Sequence, residues 1–168
     1  MSLSAYLPQD RVRALARGAP LPDRTAGSAL FADISGFTPL TEALQNSLGS
    51  RRGTEQLTHY LDMVYTTLIA ELEKQSGSVI GFAGDSIICW FDDAQGAAPS
   101  RAITCGLALQ EAMNQFQHIT LPDSTVPALG IKVSIATGPA RRFIVGDPYI
   151  HYGDTLAGAT ITRMVSGE

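Results

Sequence analysis

The strongest periodic signal in the chain lies between Arg51 and Gln75. There Leu57, Tyr60, Leu61, Val64, Tyr65, Leu68, Ile69 and Leu72 recur at three- and four-residue spacing. That period builds one apolar face of an α-helix, and Gly77 supplies its stop. Residues 8–17 (PQDRVRALAR) predict a shorter amphipathic helix with Pro8 near its start. A short helix opens at about Phe37, and another covers about 99–117, with Ile103, Leu107, Gln110 and Met113 along it. The period shifts to two in LGIKVSIATG (129–138). Leu129, Ile131, Val133 and Ile135 alternate there with Gly130, Lys132, Ser134 and Ala136, giving a strand with two distinct faces. A first strand spans about 28–34. In SVIGFAGDSIICWF (78–91) two β-rich runs flank Ala83-Gly84-Asp85-Ser86, which predicts a hairpin with a tight loop.

Turn chemistry fills GAPLPDRTAG (18–27), a linker, and Pro122 and Pro127 break the chain before the alternating strand. Residues 141–145 and 149–152 are weaker strand candidates, and 155–165 predicts a helix. The order is then strand, two helices, hairpin, helix, strand, a β-rich segment and a helix. Helices returning between strands place them on one face of a mixed or antiparallel sheet, an α+β layer. Residues 1–25 are an N-terminal helix and linker, and 26–168 form one domain without internal repeats.

Composition narrows the function. A net charge of −4 and a pI near 5.3 leave no broad basic face for a nucleic-acid backbone. Arg51-Arg52 and Arg141-Arg142 are local pairs only. No apolar run long enough to span a bilayer occurs, and the N-terminus lacks a signal-peptide core, so a cytoplasmic protein without membrane association is expected. Cys89 and Cys105 lie in apolar segments and are expected as buried free thiols. His59, His118 and His151 lack the spacing of a metal pair on one helix, so no zinc site is expected.

Two acids carry the candidate chemistry. Asp33 in LFADISGFTPL and Asp85 in GFAGDSIICWF each follow or precede an apolar strand, beside glycine and serine. If the first strand and the hairpin are neighbours, both carboxylates emerge at one rim. Paired carboxylates near free backbone N–H groups suit Mg²⁺ bound to a polyphosphate, because magnesium takes few protein ligands and keeps water and phosphate oxygens. Two such ions can activate an attacking oxygen and stabilise a leaving one. Ser35-Gly36-Phe37-Thr38 would place amide donors at a helix start, where anions bind. The plainer alternative is that Asp33 caps a helix and Asp85 occupies a turn, and spacing alone leaves both open.

The segments FADISGFTPLTE (31–42), GFAGDSIICWF (81–91) and IKVSIATGP (131–139) together resemble the class III nucleotidyl cyclase catalytic domain. The likeness is greatest to the first catalytic domain of soluble adenylyl cyclases, and it covers roughly residues 26–166. It implies a ferredoxin-like fold, a mostly antiparallel sheet with helices packed on it. It implies that Asp33 and Asp85 bind two metal ions, Mg²⁺ or Mn²⁺, with the carbonyl of Ile34 reaching one of them. It further implies that Ser35, Gly36, Phe37 and Thr38 wrap the triphosphate of ATP and that Lys132 contacts it. The reaction implied is attack of the ribose 3′-oxygen on the α-phosphorus, releasing pyrophosphate and cyclic AMP.

Such sites form between two cyclase domains, and here the complementary half is absent from the expected positions. Gly81 stands where active homodimers carry a base-recognising lysine, and Ile150 at the second base-recognition position. Ala157 and Ile161 replace the transition-state asparagine and arginine. Neither glycine nor isoleucine hydrogen-bonds a purine edge, and isoleucine cannot neutralise developing phosphate charge. Arg163 lies two residues beyond Ile161, about 200° around a helix, and is a poor substitute. In bicarbonate-responsive members of the group, a lysine and an arginine hold the anion where this chain has Gly81 and Thr160. The resemblance therefore implies one half-site, completed by a second cyclase domain, with a homodimer possible in isolation. It also implies that the chain stops before the last strands of a full domain. The competing expectation is a catalytically degenerate cyclase-homology domain, acting in nucleotide sensing or dimerisation. A haloacid-dehalogenase-type phosphatase would want a second aspartate where Ser35 stands, and no GxxxxGK[ST] motif occurs for a Walker-type NTPase.

Overall fold

The computed structural model describes residues 7–121, 128–147 and 151–167. Helix α1 (Gln9–Ala16) precedes strand β1 (Arg24–Ser35), which feeds helices α2 (Phe37–Leu48) and α3 (Ser50–Lys74). The hairpin β2 (Ser78–Ala83) and β3 (Ser86–Asp92) leads into α4 (Ala98–Met113). Strands β4 (Gly130–Asp147) and β5 (His151–Ala157) and helix α5 (Ala159–Ser166) complete the order. Among the described residues the four strand pairings are antiparallel, and the sheet order is β2-β3-β1-β4-β5. Leaving β5 aside, this is a ferredoxin-like βαββαβ arrangement with β1 at its centre. The expected α+β architecture is therefore present.

Strand alternation divides the core. Leu30, Ala32 and Ile34 face α2, α3 and α4, where Leu40, Leu44, Val64, Leu68, Leu72 and Leu109 join them in the main cluster. Ala29, Phe31 and Trp90 face the other way and meet Met164 of α5 in a smaller cluster. Helix α4 packs through small residues. A Cβ on Gly106 would come within 3.3 Å of Ile135 and Val133, so this glycine lets the helix sit close to the sheet. Its buried positions include Ala102, Cys105, Leu109 and Met113, whereas Ile103 and Leu107 are exposed. Cys89 and Cys105 are buried and free. Among the described residues, no helix is long and apolar enough to cross a membrane.

Three boundaries differ from the sequence expectation. Strand β1 begins at Arg24, because 24–27 pair with 138–141 of β4 instead of ending the linker. Residues 141–145 are no separate strand but the continuation of β4 through Pro139. Residues 155–157 belong to β5, paired with 141–143, so α5 starts only at Ala159. The Pro122, Pro127 and Ile150 positions, with Tyr149 of the weaker strand candidate, lie outside the described residues.

Helix α1 docks onto the sheet through charge. Asp10 is buried, its backbone N–H donates to Ser78 Oγ at 2.9 Å, and its carboxylate pairs with Arg142 of β4. Arg11 grips Asp154 of β5 with two hydrogen bonds, at 3.0 and 2.5 Å. Arg142 also reaches Asp154, at 3.4 Å.

Candidate active site

The central strand sets the site. Asp33 stands in register with Ser86 of β3 on one side and Lys132 of β4 on the other. By alternation with Ala29 and Phe31, Asp33 belongs to the sheet face opposite α2, α3 and α4. It is half-buried, Ser86 is buried and Lys132 is exposed. The Ser86 hydroxyl donates to Asp33 Oδ1 at 2.7 Å. Asp85 is exposed in the two-residue turn between β2 and β3, where Gly84 takes φ +65°. Because Asp85 immediately precedes the residue paired with Asp33, the hairpin register brings both acids to one rim.

The chain leaves β1 by a sharp turn. Gly36 has φ +98° and is the N-cap of α2, and a Cβ there would lie 2.3 Å from the Ala128 carbonyl oxygen. Only glycine suits both demands. Gly36 has no side chain with which to cap the helix, and among the described residues no other side chain bonds to the first-turn amides of Phe37 and Thr38. Ser35 and Thr38 are exposed beside them, whereas the Ile34 side chain is buried in the main core, leaving only its backbone for chemistry.

Sequence reasoning missed two neighbours. Ser86 was visible only as the residue after Asp85; the β1–β3 register gives it a partner. Tyr65 of α3 packs edge-on against Phe82 at 5.7 Å between ring centroids. Burial, and then the Asp85 charge, push its phenol pKa up. Nothing in the helical stripe distinguished Tyr65 from its core neighbours.

Among the described residues, no three His, Cys, Asp or Glu side chains converge. A cation at this rim would meet two carboxylates, with backbone, water and ligand oxygens completing its shell. That donor set suits a hard ion such as Mg²⁺ or Mn²⁺.

The expected complementary positions are apolar or already engaged. A side chain on Gly81 would point into open space, and none is there. Ala157 pairs with Arg141, and Ile161 packs on the second core cluster. Thr160 is buried, its hydroxyl donating to the Pro139 carbonyl at 2.7 Å. Arg163 donates to the Thr137 carbonyl at 2.9 Å.

No protein-family profile matches the chain. Among curated proteins it is similar to adenylate cyclase type 10 of Homo sapiens, 33% identical over 69 residues, covering 41% of this chain and 4% of that protein. The Rattus norvegicus adenylate cyclase type 10 is 29% identical over 127 residues, covering 75% of this chain and 8% of that protein. The chain thus corresponds to a small part of these relatives. Among solved structures, a bacterial light-regulated adenylyl cyclase superposes with TM-score 0.74 at 19% identity, covering 98% of this chain and 46% of that one. The adenylyl cyclase CyaB from P. aeruginosa gives 0.68 at 24% identity, covering 84% and 70%. The guanylyl cyclase Cya2 gives 0.68 at 21%, covering 86% and 69%.

Proposed function

We propose that this chain, similar in sequence to adenylate cyclase type 10 and in fold to adenylyl and guanylyl cyclase domains, is a class III nucleotidyl cyclase catalytic domain and the metal- and triphosphate-binding half of an adenylyl cyclase. A second cyclase-homology domain completes the site, and ATP is converted to cyclic AMP and pyrophosphate. The observation that carries this reading is the Asp33–Asp85 rim beside an uncapped helix start, with apolar residues at Gly81, Ala157 and Ile161.

Asp33 and Asp85, with the Ile34 carbonyl, would hold two divalent cations. When bound, these supply positive charge that activates the ribose 3′-hydroxyl and stabilises the departing pyrophosphate. The amides from Ser35 to Thr38 meet the triphosphate with hydrogen-bond donors at the positive end of α2. Lys132, exposed on β4 directly opposite Asp33, adds a mobile cationic contact to the same phosphates. The 3′-oxygen–phosphorus bond forms as the bond to the leaving pyrophosphate breaks. Base recognition and the arginine that balances charge on the reacting phosphoryl group come from the partner domain.

One experiment tests the assignment. With a complementary domain supplied, Asp33→Asn and Asp85→Asn should each lower cyclic AMP formation by at least about 100-fold. Near-normal rates for either variant at saturating Mg²⁺ would mean that the cations lie elsewhere. The second reading, a binding module without turnover, is favoured by Gly81, Ala157 and Ile161 together. Its signature is metal-dependent ATP binding with no product under any pairing.

A further inference from the structure

Resting on that reading, we propose that Ser86 is a positioning residue that orients Asp33 for its cation and thereby leaves Lys132 free for the triphosphate. Asp33 has two in-register neighbours, Ser86 and Lys132, and residues paired this way across antiparallel strands are near enough to interact. Only one of them engages it. Ser86 Oγ donates to Oδ1 at 2.7 Å, and among the described residues Lys132 forms no ion pair and no other group hydrogen-bonds this carboxylate.

The two neighbours differ in what they can fix. Ser86 is 4% exposed, its hydroxyl hangs on one torsion, and its place is set by strand register. A buried hydroxyl without a partner costs free energy, so the bond to Asp33 is held from both ends. Lys132 reaches through a flexible four-carbon stem and cannot define the plane of a carboxylate. With Oδ1 tied to Ser86, Oδ2 is left to a cation, and the ammonium of Lys132 is not spent on Asp33. The dipeptide Asp85-Ser86 thus supplies one carboxylate and orients the other. Hydrogen-bonding partners behind a ligand commonly carry 10–100-fold of metal affinity.

The test is Mn²⁺ binding to the full chain, read as the free-ion signal in electron paramagnetic resonance, with thermal unfolding of each variant in parallel. Ser86→Ala should weaken Mn²⁺ binding about tenfold while its melting temperature stays close to that of the parent. Ser86→Thr keeps the hydroxyl on a side chain suited to a strand and should restore binding to within about threefold. Lys132→Ala should weaken ATP binding and leave Mn²⁺ affinity unchanged. If Ser86→Ala binds Mn²⁺ like the parent while Asp33→Asn does not bind it, the positioning role is wrong and the metal site stands. The same holds if Thr fails to restore what Ala loses. If Asp33→Asn binds Mn²⁺ normally, the metal assignment itself falls, and this inference with it.

Discussion

Arg142→Met removes the guanidinium that joins α1, β4 and β5. In the parent chain the Arg142, Asp10 and Asp154 side chains are 3%, 4% and 6% exposed. Met refills most of the stem volume, so the loss falls on charge. Asp154 keeps both hydrogen bonds from Arg11. Among the described residues, Asp10 keeps the adjacent backbone N–H of Arg11 at 2.8 Å and the nearby Arg11 charge, but it stays buried and loses its direct ion pair. Breaking one side of such a pair costs about 3–5 kcal/mol. At about 2–4 °C per kcal/mol for a domain of this size, the melting temperature should fall by about 6–20 °C. Neutralising the stranded partner should relieve the penalty. Asp10→Asn/Arg142→Met should therefore be more stable than the sum of the single losses by about 1–3 kcal/mol. Urea and thermal unfolding at pH 7 measure both quantities. A fall below about 3 °C, or strict additivity, would show that α1 is not held by this network.

The same network sets an acid response. Burial alone pushes the Asp154 carboxyl up, but the hydrogen bonds and charges of Arg11 and Arg142 outweigh it and hold it below its usual range. Its stabilisation is therefore present above the unfolded pKa of about 3.9 and lost as pH falls through the lower folded value. Asp154→Asn should flatten the stability–pH curve below about pH 4, and an unchanged curve would contradict the assignment. Gly36→Ala should destabilise by about 2 kcal/mol or more, since it combines a left-handed backbone with a backbone clash at Ala128; a loss under about 0.5 kcal/mol in urea unfolding would contradict that geometry. Bicarbonate at constant pH and ionic strength should not stimulate the reconstituted pair of domains, because Gly81 offers no charged side-chain donor and the Thr160 hydroxyl is committed to Pro139. A several-fold rise in cyclic AMP formation would mean that another cation holds the anion.

The elements that were legible in the sequence are those whose patterns are local. The stripe from Leu57 to Leu72 defines α3, and Ala83-Gly84-Asp85-Ser86 marks the hairpin turn that carries Asp85. Asp33 was visible because an acid ended an apolar run. What stayed hidden depends on distant partners. Gly138-Pro139 has the composition of a break, yet pairing of 138–139 with Ala26 and Gly27 carries β4 straight through it. Thr155–Ala157 resembles a helix start until Arg141–Phe143 claims it as a strand. Asp10 sits on a short helix where an acid is normally solvated, and only Arg142, 132 residues away, explains its burial. Ser86 is ordinary in a hairpin, and its role follows from the β1–β3 register alone.

The half-site claim is tested most directly by cyclic AMP formation from ATP with Mg²⁺ or Mn²⁺, measured for the chain alone and then titrated with a cyclase domain. That partner should carry the base-recognising lysine, the asparagine and the arginine, with its own metal aspartates replaced. The chain alone should give little or no product, since two copies would make sites with cations but no base recognition and no arginine. Activity should appear on mixing and saturate near equimolar partner. Robust turnover by the chain alone would contradict the half-site, because Gly81, Ala157 and Ile161 would then be no deficit.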